Sequence, residues 1–420
     1  MAPQCDLSKI MSDPREDKVS ISNKRIVYIT SVGIIARLFL IEHLRRLRSA
    51  GYQVLLICCD DEDARYAVQA SGVEFKAVTI KQEVALVSDL IGVVRLWWLL
   101  RRIQPAIVDA HASKAGLVGM VVSWIARVPI RIYHNHGMAL LSSRGLKRAI
   151  FKMVETISCR LATRVIYVAP SNMEDAIDVG VCRREKAAVL GPGTICGVDT
   201  DKFDPETNEP QGIELRRLAG IPLNSRLCGF VGRIVPHKGV ETILEAWRLL
   251  PPAIRANAYL CMFGALGTRP MYALVEEAAS QPDLHVKYMG FSRELPAWYS
   301  TMALLVQPSW HEGWGYNVLE AACSGVPAVG TRISATIDAI LDGTTGLLVP
   351  VKDPKAMAEA IARLLKDDDL RQRLGRSARE RAVREFSREQ ICPLLISEYR
   401  RLLDGLGGKV LAKENGPSAA

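Results

Sequence analysis

The stretch HEGWGYNVLE, residues 311–320, carries two carboxylates with seven residues between them. Glu312 follows a predicted strand, and Glu320 lies about one and a half turns into the helix predicted after it. Between them, Gly313 and Gly315 lack side chains and would let a ligand approach the backbone closely. Two acceptors lining one pocket suit a polyol such as a sugar or a ribose. Two ordinary helix carboxylates are the alternative interpretation.

A pair of cations forms a second candidate site, in the stretch FVGRIVPHKG at residues 230–239. Arg233 and Lys238 lie in a short loop after a predicted strand, and a helix is predicted to begin beside Lys238. Helix N-termini and neighbouring cations bind phosphate well, because the amides and the planar guanidinium donate several hydrogen bonds. A surface loop with solvated charges is the alternative, and the stretch is neither a Walker loop nor a dinucleotide-binding glycine motif.

Alternating strands and helices must position these residues. In the first half, strands are predicted at residues 25–30, 53–59, 106–110, 130–134 and 164–171. The Gly/Pro/Asp-rich segment 191–210 reads as a linker. Beyond it, strands are predicted at residues 226–232, 258–264, 284–290, 303–309 and 326–330, before a helical region over 354–405. The pattern predicts two doubly wound α/β domains with parallel sheets, whose ligand-binding edges would face one cleft.

The composition is that of a globular chain, with 420 residues, 49% of them hydrophobic and 24% charged. The ten cysteines show no CxxC and no Cys/His metal spacing, so we predict reduced thiols and a cytosolic chain. No signal peptide and no transmembrane helix is predicted. These features argue against a disulfide-rich secreted protein or a fibrous one.

Positive charge is concentrated in the first half of a chain whose net charge is +9, since residues 89–164 hold 12 basic and 3 acidic side chains. Trp97 and Trp98 lie beside three arginines there, and residues 142–164 form a second basic amphipathic helix. Such helices dock on anionic bilayers, although core-facing helices with a solvated basic side are the alternative. No nucleic-acid-binding motif is present, so nucleic acid is not a predicted partner.

Residues 308–350 resemble the nucleotide-sugar site of the retaining GT-B glycosyltransferases, specifically glycosyltransferase family 4. The resemblance rests on the spaced glutamates, the SGVPAV turn and the closing DGTTGLLVP. GFVGRIVPHKG resembles the Arg…Lys diphosphate clamp of that family, and GVDTDKFDP (197–205) resembles its segment joining the domains. HNHG (134–137) resembles its N-domain His-Gly turn. AHASKAGLVG (110–119) resembles members that build bacterial polysaccharide repeat units on polyprenyl carriers.

The resemblance implies donor-side roles. Arg233 and Lys238 would hold the donor diphosphate and stabilise the departing charge. Glu320 would bind the ribose hydroxyls. Glu312 would face the donor sugar, together with backbone N–H groups of the turn formed by Gly313, Trp314 and Gly315. The Trp314 side chain would either stack on the sugar or pack within the protein.

The resemblance also implies roles in the N-terminal domain. His136 would reach across to the transferred sugar, and Gly33 would lie in the loop near donor and acceptor. The family often has a Gly-Gly pair in that loop, whereas this chain has Val32-Gly33. Lys114 would meet an acceptor phosphate, with a solvated lysine as the alternative. Trp97 and Trp98 would lie on the lipid side.

The implied organisation has five parts. They are a disordered lead-in over 1–22, an acceptor-side domain over 23–198, a nucleotide-sugar-binding domain over 199–385, a crossover helix over 386–406 that returns to the N-terminal domain, and a disordered tail over 407–420. Cleft closure would assemble the site.

The expected function is retaining transfer of a sugar from a nucleoside diphosphate, UDP more commonly than GDP, to a polyprenyl-diphosphate-linked glycan in surface polysaccharide synthesis. The protein would lie in the cytoplasm, peripherally on the inner face of the membrane. A nucleotide-sugar epimerase, a transferase with a soluble acceptor and an inactive binding protein are the alternatives. No cofactor or metal is expected, since the triplet Asp61–Asp63 is interpreted as a solvated loop, and His111 and His134 as structural.

Overall fold

The structure, a computed structural model, describes residues 25–80 and 86–414. The predicted lead-in at 1–22 lies outside the described residues, as do the last six residues, 415–420, of the predicted tail. The described chain forms two parallel sheets covered by helices, which confirms the predicted pair of doubly wound domains.

Seven parallel strands form the N-terminal sheet, in the order β3-β2-β1-β4-β5-β6-β7. They are β1 Arg25–Ile29, β2 Gln53–Cys58, β3 Glu74–Ala77, β4 Ile107–His111, β5 Ile130–Asn135, β6 Arg164–Tyr167 and β7 Ala187–Val189. The sequence does not predict β3 or β7. The first is polar and half exposed, and the second has only three residues, so neither shows an apolar run or an alternation.

Six parallel strands form the C-terminal sheet, in the order β10-β9-β8-β11-β12-β13. They are β8 Arg226–Val231, β9 Ala258–Phe263, β10 Val286–Gly290, β11 Leu304–Gln307, β12 Ala328–Thr331 and β13 Gly346–Val349. In each sheet the strand order reverses beside the domain's first strand. The two switch points, where such sheets bind ligands, therefore lie between β1 and β4 and between β8 and β11.

Helices cover the faces of both sheets. In the N-terminal domain they are α1 Gly33–Ile35 with a π-helical continuation at Ala36–Leu40, α2 Ile41–Ser49, α3 Glu62–Ser71, α4 Leu86–Ile103, α5 Ser113–Ile125, α6 Gly145–Leu161 and α7 Pro170–Asp178. Beyond it they are α8 Pro205–Leu218, α9 Val240–Leu249, α10 Pro252–Arg255, α11 Arg269–Ala279, α12 Leu295–Ser300, α13 Tyr316–Cys323, α14 Thr336–Ala339, α15 Pro354–Lys366, α16 Asp368–Phe386 and α17 Arg388–Glu414. Short 3₁₀ turns lie at Pro236–Lys238 and Pro282–Leu284.

The predicted linker at 191–210 is wrong in its second part, because α8 begins at Pro205. Asp204 caps this helix by accepting a hydrogen bond from the Thr207 N–H at 3.0 Å, and proline suits the first helical position. A second proline, Pro210, lies within the first two turns of the same helix. Cap chemistry therefore outweighs the Pro-rich composition on which the linker was predicted.

The chain passes between the domains twice, at neighbouring positions. The Val198 N–H donates to the Phe386 carbonyl at 2.7 Å, and the Arg388 N–H donates to the Val198 carbonyl at 3.0 Å. The Arg388 guanidinium pairs with Asp199 at 2.7 Å. Both crossings therefore lie side by side, joined by backbone hydrogen bonds and one ion pair.

Helix α17 returns to the N-terminal domain, as predicted for the crossover helix. The Tyr399 hydroxyl donates to Asp109 Oδ2 at 2.5 Å and lies 2.8 Å from the Tyr28 hydroxyl. The helix continues to Glu414, past residue 407, where the tail is predicted to begin. An existing helix extends through glycine at a cost of only about 1 kcal/mol each.

We expect Tyr399→Phe to lower the free energy of unfolding by about 1–3 kcal/mol, because Asp109 and Tyr28 each lose a buried hydrogen-bond partner. The urea midpoint of unfolding measures this loss. Tyr66→Phe is the matched control, since Tyr66 is 49% exposed, and its effect should stay within about 0.5 kcal/mol. Equal midpoints for Tyr399→Phe and the wild type would contradict the role of this hydroxyl.

Candidate active site

Glu312 lies at the centre of a hydrogen-bond network at the edge of the C-terminal sheet. The residue is 7% exposed, and its Oε1 accepts hydrogen bonds from Lys238 Nζ at 2.5 Å, from Ser309 Oγ at 2.6 Å and from Gln307 Nε2. Lys238 follows β8 and Glu312 follows β11, so the two switch-point strands bring the predicted acid and cation together. The pairing offsets the cost of burying the carboxylate. The sequence did not identify Ser309 or Gln307.

Arg233 supplies a second positive charge after β8. Its side chain is exposed and makes no hydrogen bond or ion pair with another residue in the described part of the chain. Five residues later, Lys238 precedes the N-terminus of α9, where Gly239 (φ +74°) lies against the Pro308 carbonyl. An unpaired guanidinium, an ammonium group and a helix N-terminus together form an environment suited to an anion.

The turn after Glu312 contacts the N-terminal domain through its backbone. Gly313 lies against the His136 carbonyl oxygen, and a Cβ atom on Gly137 (φ +118°) would lie 2.8 Å from the Gly313 Cα. Asn172 Nδ2 donates to the Gly313 carbonyl at 2.7 Å. The sequence predicts that the missing side chain of Gly313 lets a ligand approach the backbone. In the structure, the backbone of the N-terminal domain at His136 and Gly137 occupies that position.

The aromatic residues of this turn pack inside the protein. Trp314 is 2% exposed and its ring lies 5.4 Å from that of Phe386, so packing rather than stacking on a sugar describes this side chain. Gly315 (φ +84°) begins α13. The Tyr316 hydroxyl then accepts the Ile195 N–H at 2.6 Å, which ties α13 to the segment between the domains.

Glu320 is half-buried on α13 and accepts a hydrogen bond from the Tyr299 hydroxyl at 3.2 Å. Burial raises the pKa of Glu320 to about 7, in spite of the opposing effects of Lys202, Tyr299 and Arg388. A carboxyl group in this range accepts hydrogen bonds with both oxygens only after it has lost its proton. Its capacity to bind hydroxyl groups therefore changes near neutral pH.

Gly33 follows β1 at the N-terminal switch point. Its N–H donates to Asp61 Oδ2 at 2.9 Å, so this amide is engaged within the protein and is not directed at a donor. Asp61 also caps α3 by accepting the Ala64 N–H at 2.7 Å, and Asp63 pairs with Arg37 at 2.7 Å. The acidic triplet thus serves as a helix cap and an ion-pair partner.

His136 lies at the end of β5, beside the buried His111 and His134, which were interpreted from the sequence as structural. His111 Nδ1 lies 3.0 Å from His136 Nε2, and His111 Nε2 lies 3.3 Å from Asp109 Oδ1. Strands β4 and β5 pair with His111 opposite His134. Burial lowers the pKa values of His111 and His136 well below the usual range. The alternation of Asp109 and His111 on β4, and of His134 and His136 at the end of β5, is the sequence pattern that could have predicted this cluster.

The remaining predicted residues lie on helices of the N-terminal domain. Lys114 is half-buried in the first turn of α5. Trp97 and Trp98 are 40% and 56% exposed on α4. Among the described residues, the ring contacts of His136 are with Phe39, His111 and His134.

Comparison with known proteins identifies the family. A family profile for "Glycosyl transferases group 1" matches residues 213–381, and one for "Glycosyl transferase 4-like domain" matches residues 41–193. The chain is also 32% identical to the D-inositol 3-phosphate glycosyltransferase of Corynebacterium glutamicum (strain R), over 70% of this chain and 71% of the relative. The chain belongs to the group 1 glycosyltransferases.

Two further relatives are named as sugar transferases, and one solved structure shares the fold. The "Capsular polysaccharide biosynthesis glycosyltransferase CapM" of Staphylococcus aureus is 29% identical over 79% of this chain and 86% of its own length. The "UDP-Gal:alpha-D-GlcNAc-diphosphoundecaprenol alpha-1,3-galactosyltransferase" of Escherichia coli is 23% identical over 83% and 88%. The crystal structure of Anabaena Alr3699/HepE in complex with UDP and glucose shares the fold, with a TM-score of 0.75 at 19% identity over 90% and 99% of the chains. The predicted GT-B architecture is confirmed.

The raised pKa of Glu320 predicts a pH-dependent stability of this glycosyltransferase. Because the folded-state pKa of about 7 exceeds the ordinary value of 4.5, folding favours the protonated form, and stability is lost as pH rises from about 5 to above 7. The change in the free energy of unfolding caused by Glu320→Gln should therefore be more favourable at pH 8.5 than at pH 5, by roughly 1–3 kcal/mol.

Thermal unfolding of Glu320→Gln and the wild type at both pH values measures this difference. Glu359→Gln, on the exposed face of α15, is the control and should show no pH-dependent difference from the wild type. A melting-temperature shift for Glu320→Gln that is the same at pH 5 and pH 8.5 would argue against a raised pKa at this half-buried carboxyl group.

Proposed function

We propose that this glycosyltransferase moves a sugar from UDP to a lipid-linked glycan, with retention of configuration, during assembly of a bacterial surface polysaccharide on the inner face of the cytoplasmic membrane. The observation that carries the transfer is the paired Glu312 and Lys238 meeting the His136–Gly137 turn of the opposite domain. The acceptor class is supported by the Escherichia coli relative, whose name specifies a diphosphoundecaprenol-linked sugar, and the pathway by the capsular relative. UDP is named in both the Escherichia coli relative and the Anabaena structure.

The charges around β8 support a diphosphate donor. The exposed Arg233, Lys238 and the N-terminus of α9 supply positive charge where a diphosphate would bind and depart. Lys238 would exchange its ion pair with Glu312 for the phosphate, which frees the carboxylate to accept a sugar hydroxyl. This arrangement would stabilise the leaving group with protein cations, so the proposal includes no metal.

The network around Glu312 favours front-face transfer over a covalent intermediate. Three donors converge on Oε1, and hydrogen bonds that stabilise a carboxylate also reduce its nucleophilicity. In the front-face reaction the bond from the anomeric carbon to the diphosphate oxygen breaks as the acceptor oxygen attacks from the same side. The departing diphosphate takes the proton of the acceptor hydroxyl, so the reaction requires no separate general base.

The outer face of the N-terminal domain suits an anionic bilayer. Helices α4, α5 and α6 each lead to the next strand in the same direction along the sheet, so they cover one face. Apolar side chains are exposed on all three: Ile91, Val94, Trp97, Trp98, Trp124, Ile125, Leu146, Ile150 and Met153. Basic residues accompany them on α4 and α6: Arg95, Arg101, Arg102, Lys147, Arg148, Lys152 and Arg160. Aromatic and cationic side chains together complement anionic lipid.

No helix in the described ranges is long and apolar enough to cross a bilayer. The face formed by α4, α5 and α6 is the surface that we propose for contact with the membrane.

A transfer assay tests the proposed function. The purified protein is incubated with bacterial membranes and a panel of radiolabelled nucleotide sugars, with and without a chelator, and label is counted in the organic-extractable lipid. We expect label from one UDP-sugar, resistant to the chelator. We expect Glu312→Gln to reduce transfer by at least about 100-fold, because the neutral amide keeps the volume but donates where the carboxylate accepts.

The Arg233→Ala variant distinguishes an effect on donor binding or turnover from an effect on protein stability. Because Arg233 is exposed and unpaired among the described residues, its loss should raise the donor KM or lower kcat by about tenfold or more without changing the melting temperature. Arg373→Ala, on the exposed side of α16, is the matched control. Label in a water-soluble product would favour a soluble acceptor, which the name of the Corynebacterium relative supports. Donor epimerisation without transfer would overturn the proposal.

Vesicle flotation tests the membrane face. We expect the wild type to float with vesicles containing anionic phospholipid and to remain in solution with zwitterionic vesicles. The Trp97→Ser/Trp98→Ser variant should lose most of this binding, because two exposed rings no longer enter the interface. Phe291→Ser, which removes a 74% exposed ring from the C-terminal domain, should bind normally. Equal flotation of both variants would rule out this face.

A further inference from the structure

We propose that Asp109 and His111 are positioning residues that hold the His136 imidazole in its Nε2–H tautomer. Asp109 and His111 are fully buried at the end of β4, and His136 lies at the end of β5, where its turn contacts the opposite domain. Asp109 Oδ1 faces His111 Nε2 at 3.3 Å, and His111 Nδ1 faces His136 Nε2 at 3.0 Å. The three side chains thus form a row leading from the core to the candidate active site.

Hydrogen-bond chemistry determines the proton positions along this row. Asp109 Oδ1 and His111 Nε2 lie 3.3 Å apart, and within the described residues neither atom has a hydrogen-bond partner, so the contact between them is electrostatic. A carboxylate oxygen offers only lone pairs and would repel an unprotonated ring nitrogen. His111 Nε2 must therefore carry the proton, which leaves Nδ1 as an acceptor. His136 Nε2 must then donate to His111 Nδ1. Burial keeps both imidazoles neutral, as their lowered pKa values indicate, so His136 Nδ1 is left as an acceptor.

Two further features hold the row in place. The Tyr399 hydroxyl from α17 donates to Asp109 Oδ2 at 2.5 Å, which orients the carboxyl group and leaves Oδ1 toward His111. Ala112, directly after His111, has φ +65° and ψ 167°, a strained conformation that non-glycine residues rarely adopt. Its N–H nevertheless donates to the His134 carbonyl at 3.1 Å, so the sheet holds the strained residue.

The same side chains do not favour a metal site. Oxygen and nitrogen atoms of Asp109, His111 and His134 lie within 4.8 Å of one another. However, the rings of His111 and His134 are stacked with an angle of 17° between their planes, so their in-plane lone pairs run side by side and do not converge on one ion. His111 Nδ1 is already held by His136. The row of polar contacts accounts for the observed orientations better than a shared ion does.

Nitrogen NMR of the deuterated, ¹⁵N-histidine-labelled protein tests the tautomer directly. The chain has seven histidines, and His136→Gln assigns the signal of interest. We expect His136 to show a protonated Nε2 and an unprotonated Nδ1. His111→Leu should abolish this pattern, whereas His111→Asn should retain it, because the amide oxygen can accept near the position of Nδ1. His285→Asn, which alters a C-terminal histidine bonded to the Arg255 carbonyl, should leave the pattern unchanged.

Transfer kinetics add a readout that depends on the proposed function, whereas the NMR readout does not. His111→Leu should lower kcat by about 10–100-fold with a smaller change in donor KM, and His111→Asn should recover most of the loss. A protonated Nδ1 on His136 in the wild type would overturn the inference, as would a pattern unchanged by His111→Leu. Stoichiometric metal in the purified protein would overturn it too. The expected tautomer without any transfer would leave the inference standing and reject only the proposed function.

Discussion

The backbone contact between Gly137 and Gly313 brings one turn from each domain together, and the geometry of the candidate site depends on it. A side chain on either glycine would separate the turns, because Cβ atoms there would overlap the opposing backbone. On one side of the contact lies Glu312 with its three donors. On the other lies His136 with its buried partners. Neither domain contains both groups, so the candidate site exists only where the two domains meet.

Three buried or half-buried carboxyl groups near the cleft are accommodated in different ways. Glu312 is paired with Lys238 and two neutral donors, Glu320 has a pKa raised to about 7 by burial, and Asp109 accepts a hydrogen bond from Tyr399. Each solution suits a different function. The paired carboxylate can exchange its cation for a ligand, the titrating one responds to pH, and the third is held by Tyr399 and faces His111.

The two domains are joined by hydrogen bonds between particular residues. Both crossings lie at Val198 and Ser387, where the two segments form a single parallel bridge. The Tyr316 hydroxyl binds the backbone of the first crossing, and Ser171 on α7 donates to Asp338 at 2.5 Å in the other domain. Helix α17 then places Tyr399, from the end of the chain, beside Tyr28 on the first strand. The contacts between the domains, the crossover helix and the histidine row are thereby physically connected.

The sequence by itself determined the alternation of strands and helices, the two-domain architecture and the positions of Glu312, Lys238 and Arg233 after strand ends, because each depends on local periodicity or on short motifs. It missed β3, which is polar and half exposed, β7, which has only three residues, and β13, a four-residue run within the DGTTGLLVP motif. Only the tertiary structure decided that Trp314 packs, that Gly313 meets the other domain and that Gly33 donates to Asp61.

The histidine row also depends on contacts that only the tertiary structure decides. From the sequence, His111 and His134 are interpreted as structural, because the residues next to a strand-end histidine do not reveal which side chain it contacts. Their contacts depend on the parallel register of β4 and β5 and on Tyr399, which lies 290 positions from Asp109. Local patterns specify which elements form, whereas sheet register and long-range packing decide which side chains meet.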